Sequence, residues 1–387
     1  MLDRIRLSAF FAAVFSVIAV QLPYWPVWLT AQGLEPAEVG LIVSLAYWTK
    51  PVADPLAGLV ADRTGSRRRA MVVLAVAALA GASLFLVDRG LPVLLVVSAL
   101  WTGAFSALVP LGDSLALLAT RARGFDYGRL RVWGSIGFVV TTMSAGPLLA
   151  GSGSEAILHL LLAGLGLALL TCLLLPEAPA PAARAERVSL APLLRRPTFL
   201  VFLVTAAVLQ PSHAVLYAFG TIHWRSLGLS SEVVGLLWVE GVLVEIALFA
   251  FGRRLADRLG PEGLLMAAAA AGIVRWTALA WAESLPAIAA AQALHGLTFG
   301  AAHLGAMRFL QEAVPRSHAA TGQTLYSGVA LGVGFGSLLA ASGPLYEVAG
   351  GRAFLAMAAL CLAAGTGAAV LLRMRRAGKT AEVPGAG

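Results

Sequence analysis

The chain has 387 residues, 59% of them apolar and only 12% charged, with a formal net charge of +8. A soluble domain carries about 25% charged residues, so at this charge density the chain could not cover a water-facing surface. Composition excludes a soluble enzyme, a disordered chain and a secreted disulfide scaffold, and the basic excess, a nucleic-acid signal in other contexts, has to be read against a membrane.

A membrane helix needs roughly 20 mostly apolar residues. In chain order the sequence predicts twelve, at about 8–29, 39–60, 70–87, 92–118, 132–150, 156–175, 198–221, 233–252, 263–281, 286–309, 320–342 and 353–372, numbered here as spans 1 to 12. In span 1, Pro23 and Pro26 should kink or interrupt the helix beside Tyr24, Trp25 and Trp28. Span 2 holds Lys50 and Asp54 one helical turn apart, just after Tyr47 and Trp48. Asp113 falls in span 4, Glu240 and Glu245 in span 8, and Arg275 with Trp276 in span 9. Span 10 carries His295, His303 and Arg308. Between spans 6 and 7 the PEAPAPAARAER composition reads as a tether, with Leu190 to Leu194 a candidate surface helix. No cleavage site follows the first apolar run, so no removable signal peptide is expected. Cys172 and Cys361 lie within spans and read as small core residues.

The cations set the orientation. Of the 28 Lys and Arg, 22 fall in loops on the side of the termini, and three (Arg89, Arg225, Arg352) on the other. Lys50, Arg275 and Arg308 are inside spans. This asymmetry puts both termini in the cytoplasm and explains the basic charge without nucleic acid.

An internal repeat runs at an offset of 195 residues. Gly33-Leu34 matches Gly228-Leu229, Val39-Gly40-Leu41 matches Val234-Gly235-Leu236, Ala61-Asp62-Arg63 matches Ala256-Asp257-Arg258, and Gly65 matches Gly260. The expected organisation is an all-α membrane protein of two pseudo-symmetric six-helix halves. They run over 1–175 and 198–372, joined by a cytoplasmic linker over 176–197 and followed by a tail over 373–387. Carriers built this way hold substrate near the midplane and rock one half against the other.

Gly58-Leu-Val-Ala-Asp62-Arg63-Thr-Gly65-Ser-Arg67-Arg68-Arg69 resembles the loop signature of the major facilitator superfamily. It is a tight glycine turn with one acid among several cations. Asp62 can bond Arg67 and a helix N-terminus in one state and release them in another. A weaker copy includes Asp257 and Arg258.

Ionisable groups inside spans cost about 2.5–3.5 kcal/mol at the bilayer centre and mark pathways or partners. Lys50 and Glu245 are themselves 195 residues apart, so the repeat places a cation and an acid at equivalent depths. A substrate carboxylate could compete with Glu245 for Lys50; the alternative is a permanent ion pair. Glu245, Arg275, His295 and His303 form a second candidate cluster for proton coupling, with Glu245 favoured over Glu240. Tyr24, Tyr47, Asp113 and Trp276 join Lys50 and Asp54 as candidate substrate contacts. Trp25, Trp28 and Trp224 are expected in the interfacial belt, and Arg308 is expected to snorkel. The histidines are not at zinc-ligand spacing with a Cys or carboxylate, so no metal is expected. Nucleotide-binding and nucleophile-elbow motifs are missing, so no cofactor and no catalysis are expected.

Further patches resemble the phenylpropionate-permease branch, related to lactose and nucleoside symporters. They are Leu22-Pro-Tyr-Trp-Pro-Val-Trp28-Leu29, Val109-Pro-Leu-Gly-Asp113, the run Asp126 to Phe138, Gly272-Ile-Val-Arg275-Trp276, and His295 through His303 to Arg308. The resemblance implies inward proton symport of a small organic solute, aromatic carboxylates being the named substrate. It gives proton handling to Glu245, Arg275 and His295 or His303. Two positions depart from the branch: Glu240 is an extra acid, and Lys50 stands where Arg is expected. The expected partners are a small solute, protons and the bilayer of a bacterial inner membrane, with the protein a monomer. A sugar or nucleoside symporter and a proton-coupled exporter of drugs or metabolites are the alternatives. A membrane sensor normally needs a sizeable soluble domain to signal through.

Overall fold

The computed structural model describes residues 2–123, 126–177, 190–315 and 318–381. Most of the tether, 178–189, lies outside the described residues, as do Arg316 and the end of the tail, 382–387. The candidate surface helix is present as one turn, Ala191–Leu194.

The apolar runs fold as helices because only a helix satisfies its own backbone polar groups in hydrocarbon. Among the described residues eight helices are long and apolar enough to cross a bilayer, and a ninth span is the bent pair Leu2–Gln21 and Trp25–Ala31. Three features account for the rest of the expected twelve. The 57-residue run Thr321–Ala377 is divided by a turn at Gly350–Ala353 into spans 11 and 12. Span 2 is broken into Pro36–Trp48 and Lys50–Thr64. Span 10 passes from Leu285–Gln292 through a wide π turn at Gly296–Ala301 into Ala302–Ala313.

Proline explains the breaks near the candidate site. Span 1 bends by 41° at the Pro23–Pro26 segment. In span 2, Pro51 has no N–H for the carbonyl of Tyr47, so the helix restarts at Lys50. Span 2 itself begins with a capping box in which the Glu35 N–H donates to the Glu38 carboxylate at 3.0 Å. The bilayer-facing perimeter is apolar: Val73, Leu100, Val204 and Leu362 are each more than 60% exposed.

The repeat is visible in the backbone. Glycines of positive φ occur in pairs, Gly33 with Gly228 (φ 86° and 85°) and Gly65 with Gly260 (φ 67° and 64°). These are the glycines matched in sequence, after spans 1 and 7 and after spans 2 and 8; in the second pair Gly65 is a left-handed helix cap (ψ 4°) and Gly260 an extended kink (ψ 179°).

Two compact units divide the chain. The first comprises Met1–Ala185, Tyr217–Val239 and Leu339–Glu347; the second comprises Glu186–Leu216, Glu240–Leu338 and Val348–Gly387. The grouping differs from 1–175 and 198–372 in that parts of spans 7, 8 and 11 go with the first unit. Close approaches at glycine accompany the grouping of spans 8 and 11. A Cβ on Gly40 would lie 2.8 Å from Leu339 O, one on Gly343 would lie 2.5 Å from Pro36 O, and one on Gly146 would lie 2.8 Å from Glu232 Cα. The helices meet backbone to backbone there.

At the end of the first unit remote from the termini, Arg89 holds both oxygens of Glu155 at 2.7 and 2.8 Å and donates to Gln32 at 3.0 Å. This clasp ties spans 1, 3 and 6. Beneath it Trp28 is fully buried and stacks on Trp25, itself 3% exposed, with centroids 4.5 Å apart. Trp224 is also fully buried, packed on Trp238. The interfacial belt expected for these three tryptophans is thus corrected: the span 1 bend turns Trp25 and Trp28 inward, and Trp224 sits in the helix packing. Cys172 and Cys361 are buried free thiols.

The two glycines of the loop signature should respond oppositely to alanine. Gly65→Ala places a Cβ in the left-handed region and should lower unfolding stability by about 1–2 kcal/mol. Gly58 lies inside helix Lys50–Thr64 with open space around it, so Gly58→Ala should raise stability by about 0.5–1 kcal/mol. Thermal unfolding of both variants in detergent checks this; equal effects would contradict it.

Candidate functional site

The break in span 2 builds the first cluster. Lys50 Nζ lies 3.9 Å from Asp54 Oδ2, with the two side chains 32% and 22% exposed. At that distance they form a charge pair and not a hydrogen bond, so the cation can change partners. Asp54 is fixed from span 4, where Ser106 Oγ donates to Oδ1 at 2.6 Å. Beside the pair, within the first unit, lies a cavity of about 160 Å³. Trp25, Tyr47 and Tyr217 give it aromatic faces, Lys50 a positive charge, and Ser98, Thr102 and Ser106 a row of hydroxyls. The cavity is small against the ~300–1,000 Å³ of drug-sized sites. Chemically it suits a small solute with an aromatic body and one negative group.

The second cluster lies in the second unit, around the fully buried Arg275. Its Nη1 donates to His295 Nδ1 at 3.1 Å and to Thr298 Oγ1 at 2.7 Å, while Nη2 donates to Gln292 Oε1 at 2.5 Å. The guanidinium carbon also lies 4.6 Å from the Trp276 ring centroid, a cation–π contact that supports a desolvated cation. A guanidinium has donors only, so His295 Nδ1 must accept and its proton sits on Nε2. That nitrogen points at Glu245, 3.8 Å from Oε2. His213 is fixed in the opposite sense: Nδ1 donates to the Gln210 carbonyl at 3.0 Å, and Nε2 meets the Thr298 hydroxyl at 3.2 Å. The buried cation thereby orients one imidazole and a hydroxyl, and His213 meets that same hydroxyl. Taking a proton on Nδ1 would cost His295 its bond to Arg275, whereas a proton on Glu245 leaves that bond in place.

The signature loop forms as expected. Gly65 ends one helix, the Ser66 hydroxyl caps the next, and Arg67 reaches Asp62 at 3.3 Å and Ser114 at 3.0 Å. Its copy differs in partner: Asp257 pairs with Arg308 at 2.6 Å and with Arg253 at 3.8 Å. Arg308, expected to snorkel, places its guanidinium on the exposed Asp257 of the loop copy. Arg63 and Arg258 are exposed.

The structure brings Lys50 and Tyr47 to the cavity wall, with Asp54 behind them on Lys50 and Ser106, and leaves other candidates elsewhere. Tyr24 is buried and donates to the Thr142 carbonyl at 3.2 Å. Asp113 accepts from Tyr127 at 2.9 Å and lies 3.9 Å from Arg131, both within the Asp126 to Phe138 run. Trp276 is buried, stacked on Phe354 with its indole donating to Ser212 at 3.4 Å. Arg275 gives its hydrogen bonds to His295, Thr298 and Gln292 rather than to His303. Sequence reasoning missed Gln292, Thr298 and His213, and the hydroxyl row of span 4. The row's spacing, with Ser98, Thr102 and Ser106 each four apart, was the available signal. It also missed Arg375, which bridges Glu262 and Glu312 at 2.8 Å each.

Comparisons with known proteins agree on one family. Residues 4–356 match the family described as MFS_1 like. The chain is 32% identical to a probable 3-phenylpropionic acid transporter of Escherichia coli (strain K12) over 92% of this chain and 94% of that protein. It is 31% identical to a maltose permease of Geobacillus stearothermophilus, covering 84% and 83% of the two chains. Among solved structures, the nucleoside transporter NupG superposes with a TM-score of 0.79 at 17% identity, covering 96% of this chain and 99% of that one.

The Arg275 donor and the Gln210 carbonyl acceptor fix one tautomer each for His295 and His213. In ¹⁵N spectra of histidine-labelled protein, His295 should appear as the Nε2–H form and His213 as the Nδ1–H form. Arg275→Lys should release His295 into exchange between tautomers. An imidazolium signal for His295 in the wild type at neutral pH would contradict the assignment.

Proposed function

Because the chain belongs to the MFS_1 like family of major facilitator proteins, and is therefore a multi-pass secondary transporter and not an enzyme, we propose that it imports a small aromatic carboxylate together with protons. The observation that carries this reading is Lys50, partly exposed in a small cavity with Trp25, Tyr47 and Tyr217 in its walls. A carboxylate can take Lys50 from Asp54, which keeps its bond to Ser106, while the aromatic walls remove the ring from water. The named substrate of the Escherichia coli relative has this chemistry.

Glu245 is the proton carrier in this proposal. His295 keeps its Nε2–H directed at Glu245 because Arg275 occupies its other nitrogen. Arg275 is thus a positioning residue, acting on Glu245 through the imidazole that it orients. His303 is retained only as a residue of the same span, and Asp113, Tyr24 and Trp276 as supports of the helices that carry the site. The protein works as a monomer in a bacterial inner membrane with both termini cytoplasmic, the orientation supported by the 22 cations on that side. Alternating access moves residues 1–175 and 198–372 as halves. Opening on the side remote from the termini would part the glycine contacts of Gly40 with Gly343 and of Gly146 with Glu232.

Uptake of 3-phenylpropionate into vesicles should accelerate with an acid exterior. Lys50→Gln should raise KM by about tenfold or more, since it strips a partly desolvated anion of its charged partner. Glu245→Gln should abolish accumulation driven by the pH gradient while solute exchange across the membrane persists. Undiminished gradient-driven uptake in Glu245→Gln contradicts its role, and an unchanged KM in Lys50→Gln contradicts the site.

A further inference from the structure

We propose that the Ser98 hydroxyl reads a hydrogen-bonding substituent, a ring hydroxyl, at the end of the substrate remote from its carboxylate, so that hydroxylated aryl carboxylates are preferred over unsubstituted ones. The inference rests on the aromatic-carboxylate reading above and sharpens its substrate class.

Ser98, Thr102 and Ser106 lie on one face of helix Leu91–Ser106 and all line the cavity. Two of the three hydroxyls are committed. Ser106 donates to Asp54, and Thr102 Oγ1 donates to the Ser98 carbonyl at 2.5 Å. Ser98 Oγ has no hydrogen-bond partner among the described residues, although the residue is only 1% exposed. Thr142 Oγ1 also has no partner but is not in the cavity wall, and other hydroxyls of the first unit fold back on their own helices: Ser16 bonds the Ala12 carbonyl, Thr49 that of Leu45, and Ser83 that of Leu79. Ser98 does not, and a buried hydroxyl without a partner is costly in a bundle surrounded by lipid.

The cavity has a charged end and a hydroxyl end. Ser106 belongs to the charged end through Asp54 and Lys50. Ser98 is eight residues away on the same helix, about 12 Å along its axis, on the side remote from the termini. The long side chain of Lys50 shortens the gap that a ligand has to bridge. A ligand with its carboxylate on Lys50 and its ring between the aromatic walls projects the far edge of that ring toward Ser98. A hydroxyl there can accept from or donate to Ser98 Oγ. An unsubstituted ring would leave Ser98 without a partner.

The test measures binding to the purified full-length protein of 3-phenylpropionate and of its 3- and 4-hydroxyphenyl analogues, in wild type, Ser98→Ala, Ser98→Thr and Lys50→Gln. The better hydroxylated acid should bind wild type about tenfold more tightly than 3-phenylpropionate, the size of one hydrogen bond to a buried group. Ser98→Ala should bring the two acids to equal affinity, Ser98→Thr should retain the preference, and Lys50→Gln should weaken both acids alike. Ser98→Ala removes an unpaired hydroxyl and should fold normally. If both acids bind through Lys50 with a ratio that Ser98→Ala leaves unchanged, the Ser98 role is overturned and the aromatic-carboxylate site stands. If neither acid binds, or if a sugar binds independently of Lys50, both readings are overturned.

Discussion

A charge held inside a bilayer must be met by the protein, because lipid offers it nothing. The two cations near the middle of their spans answer that constraint differently. Lys50 keeps an acid one turn away at the long separation of 3.9 Å, partly open to a cavity. Arg275 is fully buried and spends its donors on His295, Thr298 and Gln292, and none of the three is a carboxylate. The first arrangement is loose and exchangeable; the second is tight and orienting. That difference is what divides the proposed roles, Lys50 for the solute and Arg275 for the geometry of the proton site.

The break in span 2 links the fold to this chemistry. Pro51 ends the hydrogen-bond ladder beside Tyr47 and Lys50, so both side chains sit at a discontinuity where a helix can change direction. The bend in span 1 brings Trp25 into the same cavity. Span 10 carries a π turn at Gly296–Ala301, directly after His295 and including Thr298, and such turns recur at functional sites. Irregular backbone thus occurs at both polar clusters, and also in span 11 at Ser327–Gly334, while spans 5, 6 and 8 remain continuous helices.

Much of this was legible in the sequence, for physical reasons. Long apolar runs between charged loops have one stable outcome in a bilayer, and the matched glycines at 33, 228, 65 and 260 all adopt the positive φ that favours glycine. Lys50 and Asp54 at one-turn spacing had to share a face. What was not legible depends on how helices meet. A serine in an apolar span ordinarily bonds its own backbone, so nothing in the sequence distinguished Ser98 from Ser83. Tryptophans near a span end read as interfacial until the bend turns them inward. Arg308 read as a snorkelling residue of span 10 and Arg375 as a loop-side cation, and only tertiary packing shows that they bind Asp257, Glu262 and Glu312.

The central claim is that an aromatic carboxylate and a proton cross together through a site built on Lys50. Its most direct test is the lumenal pH of proteoliposomes challenged with 3-phenylpropionate, compared between wild type, Lys50→Gln and protein-free vesicles. At a 3-phenylpropionate concentration below the wild-type KM, wild type should acidify the lumen faster than protein-free vesicles, and Lys50→Gln should lose most of that excess rate. Equal acidification in all three would contradict the account.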